Sequence, residues 1–114
     1  MNWIQLTDIE QLSDINQESK SQTVLIFKHS TSCSTSATAF ARLERKWNND
    51  ELSEIKTYYL NLLRYRSLSN AIADAYQVEH ESPQVLLIQD GQCVYHESHW
   101  GISYDEIKEQ LVQI

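Results

Sequence analysis

Cysteine is scarce in this 114-residue chain, with only Cys33 and Cys93 present. A small secreted domain held by disulfides carries more, at framework spacings. A disulfide scaffold is therefore excluded, and the expected home is the reducing cytoplasm. Proline occurs once and glycine twice, and no linker, low-complexity tract or internal repeat interrupts the chain. Basic residues are outnumbered, nine Lys and Arg against sixteen Asp and Glu, for a net charge of -7. The cationic footprint that nucleic acid or an anionic membrane requires is missing, so neither is an expected partner. Long apolar runs are also missing. Nothing is long enough to span a bilayer, and residues 1–20 carry acidic side chains in place of the apolar core of a signal peptide.

What is present is ordinary globular composition, 41% hydrophobic, in one domain's length, 1–114. A chain this size buries roughly two-thirds of its unfolded surface, enough for a core without staples. Thr7-Asp8-Ile9-Glu10 has capping-box form, and Ile9, Leu12 and Ile15 follow at helical spacing, predicting a helix over 8–18. Val24-Leu25-Ile26-Phe27 is a continuous apolar run that predicts a strand buried on both faces. A helix is expected over 34–47, with Ala37, Phe40, Leu43 and Trp47 on one side. Thr57 to Leu60 reads as a second strand, and Leu68, Ile72 and Ala75 mark a helix over 66–76. Pro83 opens a strand at Val85 to Ile88, Asp90-Gly91 is a hairpin signal, and Val94 to His96 is the return strand. Ser103 to Glu106 is a second capping box, with Ile107, Leu111 and Ile114 striping the last helix. The order is α-βαβα-ββα, an α/β fold with a mixed four-stranded sheet flanked by helices.

One stretch carries chemistry. Lys28-His29-Ser30-Thr31-Ser32-Cys33-Ser34-Thr35-Ser36 places Cys33 where a strand ends and a helix begins. A helix N-terminus offers unpaired amide N–H groups and about half a positive charge, and a sulfur held there ionises more easily. Cys33-Ser34-Thr35-Ser36 lacks the second cysteine of a C-x-x-C pair, so an internal disulfide cannot release the substrate. The pattern suits a monothiol cycle, in which Cys33 takes a small thiol from a mixed disulfide and a second thiol or another redoxin regenerates it. The Ser36 hydroxyl is expected to donate to the thiolate. Lys28 and His29 are read either as a local positive potential for a carboxylate-bearing thiol or as a solvated strand end. Thr31 and Ser32 are expected to shape the turn, and His80-Glu81 to be a solvated loop.

Cys93, next to the hairpin tip, is expected at the far end of the sheet from Cys33 and so not to resolve it. Cys93, His96 and His99 recur every third position, but odd spacing on a strand points neighbours to opposite faces, so no metal site is expected. Trp100 is read either as a wall of the active-site region or, in preference, as a residue packed in the core or on an edge.

Phe27 to Ala37, around Cys33, resembles the signature of the monothiol bacilliredoxins, the YtxJ/BrxC family, and Ser98-His99-Trp100-Gly101-Ile102-Ser103 resembles its C-terminal signature. The resemblance spans essentially the whole chain. It implies a thioredoxin-like three-layer fold and an oxidoreductase that removes bacillithiol from S-bacillithiolated proteins, with bacillithiol as co-substrate and no cofactor. It also implies Cys33 as nucleophile and Pro83 as a cis residue facing it, with Ser82 offering its backbone to an extended substrate. The family usually has proline directly after the cysteine. Ser34 stands here, a departure that touches the thiol's pKa and reduction potential but not the reaction class. Two other readings fit a thioredoxin-like chain. One is a non-catalytic binding module. The other is an iron–sulfur carrier of the monothiol-glutaredoxin kind, although Ser34-Thr35 replace the Gly-Phe of those proteins.

Overall fold

The longest apolar run becomes the middle of the sheet. In the computed structural model, which describes residues 3–48, 50–52 and 55–113 (backbone only at 112 and 113), five strands lie in the order β1-β3-β2-β4-β5. They are β1 (Ile4–Gln5), β2 (Val24–His29), β3 (Lys56–Asn61), β4 (Gln84–Gln89) and β5 (Gln92–Ser98). The helices are α1 (Gln11–Glu18), α2 (Ser34–Lys46), α3 (Arg66–Tyr76) and α4 (Tyr104–Gln113), with a 3₁₀ turn at His99–Gly101. β1 and β2 each run parallel to β3, and β4 is antiparallel to both β2 and β5. Ile114 of the expected last stripe lies outside the described residues, as does Asn49 of Asn48-Asn49-Asp50, the polar run expected to end the helix over 34–47.

Every residue of β2 is buried, and its side chains alternate between two layers. Val24 and Ile26 face α1 and α3 with Leu12, Ile15, Leu68 and Ile72. Leu25 and Phe27 face α2 and α4 with Ala39, Leu43 and Ile107. Burying such side chains on both faces contributes about 1.5–3 kcal/mol each.

The expected fold class stands, with a fifth strand. β1 is two residues long, too short for alternation to show. The first helix begins later than expected. Gln11 Oε1 accepts the Thr7 and Asp8 amides, at 2.7 and 3.0 Å, and the Asp8 carboxylate accepts that of Glu10. The capping box at Thr7 therefore does not form, and Ile9 lies outside the helix. The second box forms by half, Ser103 Oγ accepting the Glu106 amide. Ala37 and Ala75, expected on apolar faces, are exposed, and Ser36, Ser69 and Tyr76 take buried helix positions instead. The Asp90-Gly91 turn has positive φ at both residues, 50° and 72°, the conformation that suits a twisted hairpin.

Candidate active site

β2 delivers the reactive segment. After His29 the chain makes a tight turn, the Cys33 amide donating to Ser30 O at 3.1 Å, with Thr31 and Ser32 exposed at its centre. Cys33 then caps α2, with extended backbone at φ -103° and ψ 122°, and the first helical bond runs from the Ala37 amide to Cys33 O at 3.0 Å. The amides of Ser34, Thr35 and Ser36 therefore have no acceptor among the described residues. Cys33 is half-buried and free. The Cys33 sulfur makes no side-chain cap hydrogen bond to these amides, which stay open at the cap, and with no partner thiol it cannot close an internal disulfide with its helix.

Ser36 is engaged differently from expectation. Its side chain is fully buried. Its Oγ accepts the Ser30 amide at 3.0 Å and lies 2.7 Å from His29 Nδ1. It ties the start of α2 back to the end of β2, closing the loop that carries Cys33, and its hydroxyl is not bonded to the sulfur. His29 is correspondingly no solvated strand end. Its ring packs against Phe40 at 5.2 Å and Tyr59 at 5.6 Å, and burial pushes its pKa below the ordinary histidine value.

Lys28 is no solvated strand end either. It is 0% exposed, because β2 remains central to the sheet up to its last residues. Its Nζ donates to Ser69 O at 3.2 Å. Desolvation lowers its pKa to about 8, since a buried ammonium loses hydration that one carbonyl does not replace. Nearby, Ser69 Oγ meets His80 Nδ1 at 3.1 Å, so His80 is half-buried and bonded where a solvated loop was expected. Burial lowers the His80 pKa, and the charges of Lys28 and Arg66 add to that. Gln84, opposite Lys28 in the sheet, leaves its Oε1 buried without a partner, as do Asn61 Oδ1 and Ser82 Oγ.

The Ser82–Pro83 peptide bond is cis. Lys28 pairs with Gln84, so this loop stands beside the end of β2 that leads to Cys33. Pro83 O accepts the His99 amide at 3.0 Å, holding the 3₁₀ turn against it. Trp100 in that turn is exposed rather than packed in the core.

Cys93 sits opposite Ile88, near the other end of the sheet. It packs on the α1–α3 layer, its thiol donates to Tyr95 O, and burial raises its pKa. The parity argument about its neighbours needs correction. The register slips between Leu87 and Ile88, leaving Val94 as a bulge, so Cys93 and His96 fall on the same side of the sheet. No group of three His, Cys, Asp or Glu able to hold a metal occurs among the described residues.

Sequence reasoning missed the Ser30 amide, the Phe40–Tyr59 packing of His29, and Ser69.

A mixed sheet with a helix-capping cysteine beside a cis-proline loop is the architecture of thioredoxin-fold thiol oxidoreductases. Solved structures agree. One described as having a thioredoxin fold matches with a TM-score of 0.80 at 30% identity, over 93% of this chain and 90% of that one. The thioredoxins of Trypanosoma brucei brucei (TM-score 0.75, 12% identity, 98% and 89% covered) and Fasciola hepatica (0.70, 16%, 96% and 96%) match in fold alone. The model of the monothiol bacilliredoxin BrxC family matches residues 4–107, and the chain belongs to that family. Among the described residues, no helix is long and apolar enough to cross a membrane.

Proposed function

We propose that this chain removes bacillithiol from S-bacillithiolated proteins through a mixed disulfide on Cys33. The observation that carries the reading is the half-buried, free Cys33 at the cap of α2, where the amides of Ser34, Thr35 and Ser36 are left open. The Cys33 thiolate attacks the bacillithiol sulfur of the client's mixed disulfide. A new S–S bond forms to Cys33, the old one breaks, and the client sulfur leaves as a thiolate. A second small thiolate, or that of another redoxin, then attacks the bacillithiol sulfur of the adduct; a new disulfide forms between the two, the bond to Cys33 breaks, and Cys33 leaves as thiolate. Electrons balance without a bound cofactor. Ser82 and Pro83 border the entry, and Thr31 and Ser34 flank the sulfur. His29 and Ser36 hold the loop, and Lys28, just before it, is bonded to Ser69 O of α3.

Intact-mass spectrometry of the protein mixed with an S-bacillithiolated client tests this. A bacillithiol adduct on Cys33 is expected as the client loses one, and Cys33→Ser should show neither event. Persistent removal by Cys33→Ser would refute the assignment.

A further inference from the structure

Three of the four exposed large hydrophobic side chains among the described residues stand at one end of the molecule. Ile9 (62% exposed) follows β1, Leu63 (50%) follows β3, and Trp100 (63%) lies in the 3₁₀ turn after β5. The fourth, Val94, is on the bulge of β5. Cys33 follows β2 at that same end, because β1, β2 and β3 run parallel, with His29 paired to Asn61. β4 begins there beside Pro83, and β5 ends there. Exposed apolar side chains scattered singly need no explanation, but their gathering around a reactive group marks a contact surface.

The charged side chains that line the cavity at this end are both cationic, while Asp8 and Glu10 stand exposed on either side of Ile9. Ile9 and Leu63 line an open cavity of about 490 Å³ together with Thr7, Arg64, Arg66 and Leu68. Lys46, Lys56 and Lys108 are each paired with a carboxylate, from Asp105, Glu18 and Glu51. Arg64 lies over the Tyr65 ring at 5.6 Å, and neither it nor Arg66 has a carboxylate partner among the described residues. Two unpaired arginines beside exposed apolar groups, in a chain of net charge -7, call for an anionic occupant.

We propose that this end is the docking surface for the client protein, and that a client segment with acidic residues beside an apolar one seats on Arg64, Arg66, Ile9 and Leu63. The inference rests on Cys33 as the exchanging sulfur. Size favours a polypeptide over a small thiol. α2, which Cys33 caps, and α3, which begins at Arg66, pack on opposite faces of the sheet, so two layer spacings of about 10 Å each separate them. An extended segment at about 3.3 Å per residue crosses that width in about six residues.

The test uses two short peptides, each carrying one cysteine in a mixed disulfide with 2-mercaptoethanol, one flanked by Asp and Glu and the other by Lys. Wild type should react about tenfold faster with the acidic peptide at low salt, and salt should erase the difference. Arg64→Glu/Arg66→Glu should reverse the preference while leaving the rate with 2-hydroxyethyl disulfide unchanged. Arg42→Glu/Arg45→Glu, the same charge change on α2, should keep it. The proposal fails if Arg64→Glu/Arg66→Glu retains the acidic preference, or if both double variants lose it equally. It also fails if a small dicarboxylate disulfide shows the full preference. Failure of Cys33 chemistry reads separately, as no reaction with 2-hydroxyethyl disulfide. In that case, anisotropy with the acidic peptide, its cysteine replaced by Ser, still measures docking on Cys33→Ser, and no salt-sensitive binding would overturn it.

Discussion

His29 Nδ1 lies 2.7 Å from Ser36 Oγ, and this contact sets the shape of the loop that presents Cys33. The pair joins the last residue of β2 to the first turn of α2 across seven residues, with the Ser30 amide as third member. In a C-x-x-S sequence the serine looks like the remnant of a second thiol. Here it is a clasp.

Ser36→Ala removes that clasp and leaves a buried ring nitrogen and a buried amide unpaired. Each unmade bond of this kind costs about 1–3 kcal/mol. The urea midpoint should fall with little change in slope, and single-turnover attack by Cys33 should slow because the loop samples more conformations. Ser36→Thr keeps the hydroxyl and should recover part of both losses. Unaltered stability in Ser36→Ala would mean that the clasp does not hold the loop.

Lys28 gives a pH signature whose sign follows from burial. Its pKa falls from 10.5 to about 8 on folding, so between those values the unfolded chain holds the proton and the folded chain does not. Stability therefore rises with pH across that window, by about 3 kcal/mol in full. Tyr58, Tyr76 and Cys93 have raised values. Their stability is full below their unfolded pKa and is lost as pH rises through the folded one, so they oppose the Lys28 slope. Those opposing slopes are common to wild type and Lys28→Met, and the difference between the two isolates Lys28. Lys28→Met should be more stable at pH 7 by about 1–3 kcal/mol, since an apolar stem replaces a buried charge without a carboxylate partner. The gap should close toward pH 10. A gap that does not depend on pH would show that the amine is hydrated in the folded chain.

The layered fold and the place of Cys33 were legible because both rest on local pattern. Val24 to Phe27, short, apolar and rich in strand formers, reads as a doubly buried strand, and a polar turn followed by helical spacing puts Cys33 at a cap. Asp90-Gly91 was legible for the same reason, its conformation being written in two residues. Lys28 and His29 were not. Their types favour solvent, and only the placing of β2 between β3 and β4 buries them. Ser36 was misread because its partners, Ser30 and His29, become neighbours only when the loop closes. β1 was illegible because two residues carry no period, and the face of Cys93 because a bulge breaks the alternation that parity relies on.

Cys93 provides the last expectation. It and Cys33 are both free and half-buried, yet their surroundings differ. Cys93 packs on the α1–α3 layer, donates to Tyr95 O, and has its pKa raised by burial. The thiolate is the species that alkylates, and at neutral pH this thiol is held protonated and screened by the core. Iodoacetamide at pH 7.5 should therefore label the native protein once, at Cys33, and Cys33→Ser should stay unlabelled until denaturant is added. Lys28→Met should leave this protection intact, because Lys28 and Cys93 lie near opposite ends of the sheet. Rapid labelling of native Cys33→Ser would show that Cys93 is an accessible second thiol, and a monothiol cycle would then need to account for it.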